Sequence, residues 1–267
     1  MNYRCPRPVV ERAVRLVAHN GERFAKAIRA GPAATGRLIL APDPSDETVR
    51  IERAIGSWPE DETTRAVLAR TNRELLPAVV VALRLGLPFR APRLELLVDS
   101  PVVDRLLQRA TTLATDGEPL LVTLGRLRDD TGEPAASEIA GALLGWAVGH
   151  AELGGLADAI ADTRARLADL RRDDAPMTLA TAHATKGLEF DHVVVVGMEV
   201  GRFPSARAVG QAEDPVRAYE EERRLAYVAW TRARRSLTLL YDPTVPSPFL
   251  LEAFTADELG LGVTMRS

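Results

Sequence analysis

One ten-residue stretch concentrates side chains that could bind a ligand. Residues 181–190 read Thr-Ala-His-Ala-Thr-Lys-Gly-Leu-Glu-Phe and lie between two apolar runs that we expect to be strands. Parallel α/β proteins bind ligands at the carboxyl ends of their strands, where loops direct polar groups into a crevice. Thr181, His183, Lys186 and Glu189 supply donors, acceptors and charge there. On chemistry alone, a polar crossover loop with a turn glycine is an equally good interpretation.

A second stretch, residues 220–236, has the pattern of an amphipathic helix. Its apolar residues share one arc, and Arg232 falls at the edge of that arc, about 20° from Leu225. The stem of such an arginine would pack while its guanidinium pointed along an interface, in reach of a phosphate. The acidic start at 220–222 and the basic end at 234–235 also suit the helix dipole, which would explain most of these charges without a ligand.

The surrounding elements predict a parallel α/β sheet interrupted by an all-α insertion. Helices alternate with short apolar strands near both ends of the chain, a pattern typical of parallel sheets. Residues 94–174 instead show only helical signals, at 102–114, 136–151 and 156–170. The expected strands are 37–41, 67–69, 177–181, 193–196 and 237–241, with helices at 9–17, from Ser45 to about 55, before Gly86, and at 220–236. We therefore expect one α/β domain from 1–93 and 175–254, a helical insertion at 94–174 and a C-terminal tail at 255–267.

Composition narrows the function classes. The 267 residues carry 34 Lys and Arg against 37 Asp and Glu, a net charge of −3, which argues against a histone-like basic protein and leaves only a local patch for nucleic acid. Cys5 is the one cysteine and the four histidines are scattered, so we expect no disulfide and no metal site. No apolar run approaches the ~20 residues of a membrane span. We expect a cytoplasmic protein without a membrane partner.

The two stretches resemble the later motifs of superfamily 1 DNA helicases of the UvrD/Rep/PcrA type. That family has a Thr-x-His-x-x-Lys-Gly-Leu-Glu-Phe loop, a Gly-Met-Glu-x-Gly-x-Phe-Pro-Ser segment and a Glu-Glu-Glu-Arg-Arg-Leu-x-Tyr-Val-x-x-Thr-Arg-Ala helix. The resemblance covers residues 1–93 and 175–252, and the insertion matches only by position. The matching segments, in chain order, are Asn2-Tyr3-Arg4, 69–72, 86–90, 181–190, 197–205 and 220–233.

The resemblance implies a RecA-like, P-loop NTPase-like second motor domain, usually called 2A. Its neighbour in the family, the first motor domain, carries the Walker A phosphate loop. That pattern is absent here, because residues 31–36 are followed by Arg37 and Leu38, and no Walker B strand is evident. We therefore expect a fragment of an ATP-dependent DNA helicase or translocase that hydrolyses no ATP alone. Its expected partners are single-stranded DNA and the N-terminal motor domain of the parent helicase, which would hold most of the Mg²⁺ of ATP.

The resemblance also implies roles toward ATP. Tyr3 would stack on adenine, and Arg4 and Arg232 would approach the terminal phosphate, Arg232 as an arginine finger that stabilises charge on the transferred phosphoryl group. Glu189, with Gly187 beside it, would contact the ribose. A frayed chain terminus is the alternative for Tyr3 and Arg4.

Further residues are implied to contact single-stranded DNA. Thr181 and His183 would meet its phosphates or sugars, and Arg70 and Asn72 would lie in the same groove. Thr71 and Glu74 also form a helix capping-box pattern, which is a structural explanation for that segment. Lys186 fits either a DNA phosphate or an ion pair with Glu189.

Two alternatives to a motor-domain part stay open. A degenerate helicase-like module could serve as a docking platform for protein or DNA, although such a module has no evident use for two phosphate-facing arginines. A subunit of a helicase–nuclease would share the same motifs. The family's corresponding insertion, called 2B, is larger than residues 94–174, which puts duplex contacts and autoinhibition in doubt.

Overall fold

The computed structural model describes residues 5–21, 35–115 and 117–261, and its centre is a six-stranded parallel sheet. The strand order is β1-β6-β5-β2-β4-β3, with every neighbouring pair parallel. A parallel sheet flanked by helices confirms the predicted RecA-like α/β class. The strands are β1 Arg37–Pro42, β2 Arg65–Ala69, β3 Phe89–Arg90, β4 Met177–Thr181, β5 Phe190–Val195 and β6 Ala233–Tyr241.

The middle of the sheet is built from segments that are distant in sequence. In β2, Val67 lies opposite Leu179 of β4 on one side and Val194 of β5 on the other. Residues 66–69 are completely buried. Strands covered on both faces are nearly continuous apolar runs, which explains why the short apolar run at 67–69 predicted a strand.

Ten α-helices accompany the sheet in the described residues. They are α1 Arg7–Val17, α2 Glu47–Gly56, α3 Leu76–Leu85, α4 Pro101–Leu113, α5 Leu120–Asp129, α6 Pro134–Ala147, α7 Leu153–Leu170, α8 Ala206–Gly210, α9 Pro215–Trp230 and α10 Pro248–Ala253. The main core joins α1, α9 and α10 to one face of β2, β5 and β6, with Trp230 and Tyr241 fully buried. None of these helices, which all lie in the described residues, is long and apolar enough to cross a membrane.

The predicted helix at 220–236 is wrong at both ends. It begins at Pro215, where the Asp214 side chain accepts the Arg217 N–H, and it ends at Trp230. Residues 233–236 belong to β6, because Ala233 pairs with Phe190 of β5. Arg232 therefore lies in the turn between helix and strand, not on the edge of a helical arc.

Smaller differences have local causes. Asp46, not Ser45, caps α2, since its carboxylate accepts the Thr48 N–H at 2.8 Å. Residues 255–261 pack on the sheet: Leu259 is buried and its carbonyl accepts the Tyr241 hydroxyl at 3.1 Å.

The chain divides into two compact units, Met1–Leu94 with Arg171–Ser267, and Glu95–Leu170. The second unit consists of α4 to α7 and, in its described residues, contains no strand. Its core includes Val103, Leu124 and Leu143, each fully buried. Helix α5 was missed in the sequence, although Leu120, Leu124 and Leu127 have helical spacing after Pro119.

Candidate functional site

In the described part of the chain, the site residues expected from the sequence fall at two opposite edges of the sheet, except Lys186 and Gly187, which lie in the loop between the edges. Because all strands are parallel, their carboxyl ends form one edge and their amino ends the other. The carboxyl edge, as we define it, comprises residues 70–74, 181–183 and 196–205. The amino edge comprises residues 188–189 and 231–232. Expected DNA contacts lie at the first, and the expected nucleotide contacts Glu189 and Arg232 lie at the second.

An eight-residue crossover, residues 182–189, links these two edges. It leaves the carboxyl end of β4, passes β2 in the strand order and enters the amino end of β5. Ala182 and Thr185 are fully buried, and the Thr185 hydroxyl donates to the Ala182 carbonyl at 2.8 Å. Gly187 has a φ of +89°, a conformation that favours glycine. Its position directly after β4 had indicated that the motif lies at the carboxyl edge. The motif instead extends from that edge to the amino edge.

At the carboxyl edge, Arg70 is paired with Glu222 of α9. The Arg70 Nε donates to both carboxylate oxygens at 2.8 and 2.9 Å, and Nη2 donates to Oε1 at 2.6 Å. The second carboxylate oxygen also accepts the Ser205 N–H at 2.9 Å. Sequence reasoning missed Glu222. Its position three and four residues before Leu225 and Ala226, on the apolar arc, was the available signal, since a carboxylate on a buried face needs partners.

His183 lies beside this pair. Its partial burial and then the positive charge of Arg70 lower the pKa of the imidazole, while Glu222 acts in the opposite direction. The ring is therefore neutral at neutral pH and can both donate and accept a hydrogen bond. Thr181 is half-buried at the end of β4, and Thr181 and His183 bracket the buried Ala182.

The segment after β2 is fixed by two further hydrogen bonds. The Glu74 carboxylate accepts the Thr71 N–H at 3.0 Å, which is one half of the capping box. The Asn72 amide donates to the Arg93 carbonyl at 3.1 Å. Arg93 is exposed and, with Arg90, lines a cleft of about 200 Å³ beside the crossover. Neither arginine has an ion-pair partner in the described part of the chain, so Arg93 carries an uncompensated charge next to the segment of Asn72.

A buried ionic network holds the turn after β5. Glu199 accepts from Arg50 and from Arg202, each at 2.6 Å. Arg202 also donates to Glu47 at 2.7 Å and to Glu74 at 3.3 Å. The network therefore connects this turn to α2 and to the segment that carries Asn72. Gly197 was part of the motif, and its φ of +69° and the Arg202 guanidinium 3.3 Å from the place of a Cβ show why a side chain is excluded.

Arg232 dominates the amino edge. Its Nε donates to the Val228 carbonyl at 2.8 Å and its Nη1 to the Leu188 carbonyl at 2.9 Å. Its own carbonyl accepts the Phe190 N–H at 2.9 Å. Among the described residues no carboxylate pairs with this guanidinium. The side chain is fixed in direction while its charge stays uncompensated.

Glu189 and Lys186 differ in their surroundings. Glu189 pairs with Arg234 at 3.4 Å. Lys186 is exposed and forms no ion pair with any residue that the structure describes, so the expected alternative of a pair with Glu189 is not present. Gly187, between Lys186 and Leu188, gives the chain its sharp turn before Glu189.

Cys5 lies near Arg232 and Glu189 of the amino edge. Its thiol is buried, and burial raises its pKa to about 12, against the opposing charge of Arg232. Burial also raises the pKa of Tyr227. Cys5 acts in the same direction, and the charge of Arg232 acts in the opposite one. Tyr3 and Arg4, the other expected nucleotide contacts, lie outside the described residues. In the described ranges, no group of three His, Cys, Asp or Glu side chains could hold a metal ion.

Comparison with known proteins agrees with the motifs. Residues 154–243 match the UvrD-like helicase C-terminal domain. A 66-residue segment is 53% identical to DNA helicase II of Escherichia coli strain K12, covering 25% of this chain and 9% of that protein. A 96-residue segment is 45% identical to the ATP-dependent DNA helicase PcrA of Leuconostoc citreum, covering 32% of this chain and 12% of that protein.

A solved structure is also similar. It is the C-terminal domain of a possible DNA helicase from Lactobacillus plantarum WCFS1, which aligns over 96% of both chains with 14% identity and a TM-score of 0.45. The segments matched in the two curated relatives span only 9% and 12% of those proteins. The match of residues 154–243 to the UvrD-like helicase C-terminal domain family agrees with the resemblance that the motifs indicated.

Proposed function

We propose that the chain is the second motor domain, with a short helical insertion, of an ATP-dependent DNA helicase or translocase. The sheet unit binds single-stranded DNA at its carboxyl edge and completes, at its amino edge, an ATP site whose phosphate loop belongs to the first motor domain of the parent protein. The observation that carries this proposal is the crossover 182–189, which joins His183 at one edge to Glu189 at the other.

The amino edge fits the triphosphate of ATP. Arg232 is held by two carbonyl oxygens that fix its direction without neutralising it. A preorganised, uncompensated guanidinium is what stabilises charge on a transferred phosphoryl group. Glu189 lies one residue from the Leu188 carbonyl that holds Arg232, so a ribose contact by Glu189 and a phosphate contact by Arg232 belong to one ligand. A docking module would need no such open cation.

The carboxyl edge fits a single strand. Thr181, His183 and Asn72 offer neutral donors and acceptors, Arg70 offers donors from a neutralised pair, and Arg93 offers a free charge. Lys186, exposed in the crossover, is a further candidate for a phosphate contact. Few free charges mean weak binding with a shallow salt dependence, since each neutralised phosphate contributes a slope of about −0.7 on single strands.

We propose that the helical unit does not contact duplex DNA. Glu95–Leu170 contains 13 Asp and Glu against six Arg, a net charge of −7 within a chain of net charge −3. Three of its six arginines are in ion pairs, Arg126 with Glu118, Arg128 with Asp129, and Arg164 with Asp104. An acidic surface repels a phosphate backbone.

A titration tests the DNA part of the proposal. Labelled single-stranded and duplex oligonucleotides of one sequence are titrated with the purified chain at several salt concentrations, with fluorescence anisotropy as the readout. We expect weak binding that prefers the single strand and has a shallow slope. Tight, steeply salt-dependent binding, or a preference for the duplex, contradicts the placement of the DNA site.

An ATPase assay tests the nucleotide part. We expect no ATP hydrolysis by the purified chain with or without single-stranded DNA, because the amino edge supplies only arginine and ribose contacts. DNA-stimulated turnover that disappears in Arg232→Ala would show that the chain holds a complete phosphate site, and would overturn the proposal that another domain supplies it.

A further inference from the structure

Glu222 joins three segments of the carboxyl edge. It lies on α9, and its carboxylate accepts hydrogen bonds from Arg70, which follows β2, and from the N–H of Ser205, at the end of the turn after β5. The side chain of Glu222 is only 7% exposed and that of Arg70 only 15%. A buried carboxylate is tolerated only when it is paired and hydrogen-bonded, so each of these two side chains determines the position of the other.

The pairing leaves one side of the Arg70 guanidinium open. Glu222 takes the Nε and Nη2 side, while Nη1 makes no hydrogen bond to the described residues. An arginine has five N–H donors in a rigid plane, so fixing one side also fixes the direction of the other. The Arg70 and Glu222 pair carries no net charge, and it therefore offers oriented donors without an electrostatic attraction of its own.

We propose that Glu222 is a positioning residue that holds Arg70 as an oriented, charge-neutral donor to a phosphate or sugar oxygen of a single strand. The proposal rests on the proposed DNA-binding function of the carboxyl edge. Arg70 then contributes to affinity through a directed hydrogen bond and releases almost no counterion. This separates it from Arg93, whose charge is free.

The two alternatives for Glu222 predict opposite changes in DNA affinity when its charge is removed. If the carboxylate only neutralised Arg70, removing its charge would free a cation at the DNA edge and strengthen binding. If Glu222 positions Arg70, the same change loses the oriented donor and weakens binding. The sign of one substitution therefore decides between masking and positioning.

The experiment compares Glu222→Gln with Glu221→Gln in the full chain. Both remove one negative charge, but the Glu221 side chain is 61% exposed and its nearest cation is Arg217 at 3.6 Å. With a labelled oligothymidylate as the probe, we expect Glu222→Gln to bind roughly tenfold more weakly at fixed salt, the loss of one hydrogen bond to a charged group. The salt slope should steepen as Arg70 loses its partner. Glu221→Gln should change neither quantity. Unchanged or tighter binding by Glu222→Gln overturns the proposal.

A second pair of variants separates this proposal from the function on which it rests. Arg70→Ala should weaken binding, and adding Glu222→Gln to it should cause no further loss. If Arg70→Ala binds as the unmodified chain does, the DNA site at this edge is wrong and the positioning role falls with it. If Arg70→Ala weakens binding but Glu222→Gln does not, only the positioning role is wrong.

Folding is checked by circular dichroism. Where Glu222→Gln does not fold, Arg70→Lys decides, because a lysine keeps the charge but cannot form the planar side-on pair. We expect Arg70→Lys to lose most of the affinity that Arg70→Ala loses. An Arg70→Lys variant that binds the oligonucleotide with unchanged affinity and slope contradicts positioning.

Discussion

Arg70 and Arg202 at the carboxyl edge are held differently from Arg232 at the amino edge. At the carboxyl edge, Arg70 and Arg202 are paired with buried carboxylates, and these pairs hold neighbouring loops in place. At the amino edge, Arg232 is held by two backbone carbonyls and the Thr231 hydroxyl, with no carboxylate partner among the described residues. A carboxylate neutralises a guanidinium, whereas a carbonyl fixes its direction and leaves the charge. The contrast holds for these three arginines, because Arg234 at the start of β6 does pair with Glu189, and it agrees with our proposal that Arg232 faces a strongly negative ligand.

Helix α9 is common to both edges. Glu222 on this helix holds Arg70, and the carbonyl of Val228 near its end holds Arg232. One rigid element thus sets the position of an arginine at each edge.

The largest effect should come from the buried network of the carboxyl edge. Glu199→Ala removes the direct partner of Arg50, which is 7% exposed, and one partner of Arg202. Breaking a buried pair on one side costs about 3–5 kcal/mol of unfolding free energy. Urea unfolding measures this against Glu221→Ala, a solvent-exposed control that should stay within about 0.5 kcal/mol of the original chain. A small effect of Glu199→Ala would mean that the network does not hold the edge.

Arg232→Ala should destabilise the chain much less. Its partners are two carbonyl oxygens and a hydroxyl, so no charge is left buried without a partner, and we expect a loss of about 1–2 kcal/mol. The same urea series measures it beside Glu199→Ala. A loss as large as that of Glu199→Ala would show that Arg232 is a structural ion-pair residue, and the contrast between the edges would disappear.

Salt dependence separates Arg70 of the carboxyl edge from Arg93, whose carbonyl accepts the Asn72 amide. Arg93→Ala should reduce the slope of log affinity against log salt by about 0.7, because one phosphate loses its counter-charge. Arg70→Ala should weaken binding with little change of slope. Anisotropy titrations at several salt concentrations give both values. Equal changes of slope in the two variants would show that Glu222 does not neutralise Arg70 toward DNA.

The smallest effect is a pH dependence at the amino ends of the strands. His192 is buried, its Nδ1 lies 2.7 Å from the Ser236 hydroxyl, and its Nε2 is buried without a hydrogen bond to the described residues. Burial lowers the pKa of His192, opposed by Asp61 and Asp191 and assisted by Arg235 and Arg65.

A lowered pKa means that the unfolded chain binds the proton more readily than the folded one. This contribution to stability is therefore present above the unfolded pKa of about 6.5 and is lost as the pH falls toward the folded value. The free energy of unfolding should decrease as the pH falls from about 7.5 to about 5.5, and this decrease should be smaller in His192→Asn. The pKa of His183 is also lowered, so His183 contributes a decrease in the same direction, and that part remains in His192→Asn.

The sequence allowed five of the six strands, β3 excepted, and the position of residues 70–72 and 181–183 after their strands to be predicted, because these signals are local. Short apolar runs marked the strands, and the motif residues followed those runs directly. The end of α9 was not predictable in this way. Ala229, Trp230 and Ala233 fit a helical arc, but Ala233 becomes a strand residue through its pairing with Phe190, 43 positions earlier. Such pairing is a tertiary effect that no window along the chain contains.

The pairing of Arg70 was hidden for the same reason. Its partner lies 152 positions away, and the run of three glutamates gave no sign of which one was buried until the helical arc was considered. The missed helix α5 differs, since its leucine spacing was present and only its glycine and flanking loops obscured it.

The most direct test of the two-edge arrangement is an NMR titration of the ¹⁵N-labelled chain, including arginine Nε signals, with unlabelled oligothymidylate. We expect shifts at Arg70, Asn72, Arg93, Thr181 and His183, and none at Glu189 or Arg232. Shifts centred on Arg232, or on Arg105, Arg109 and Arg126 of the helical unit, would contradict a DNA site at the carboxyl edge.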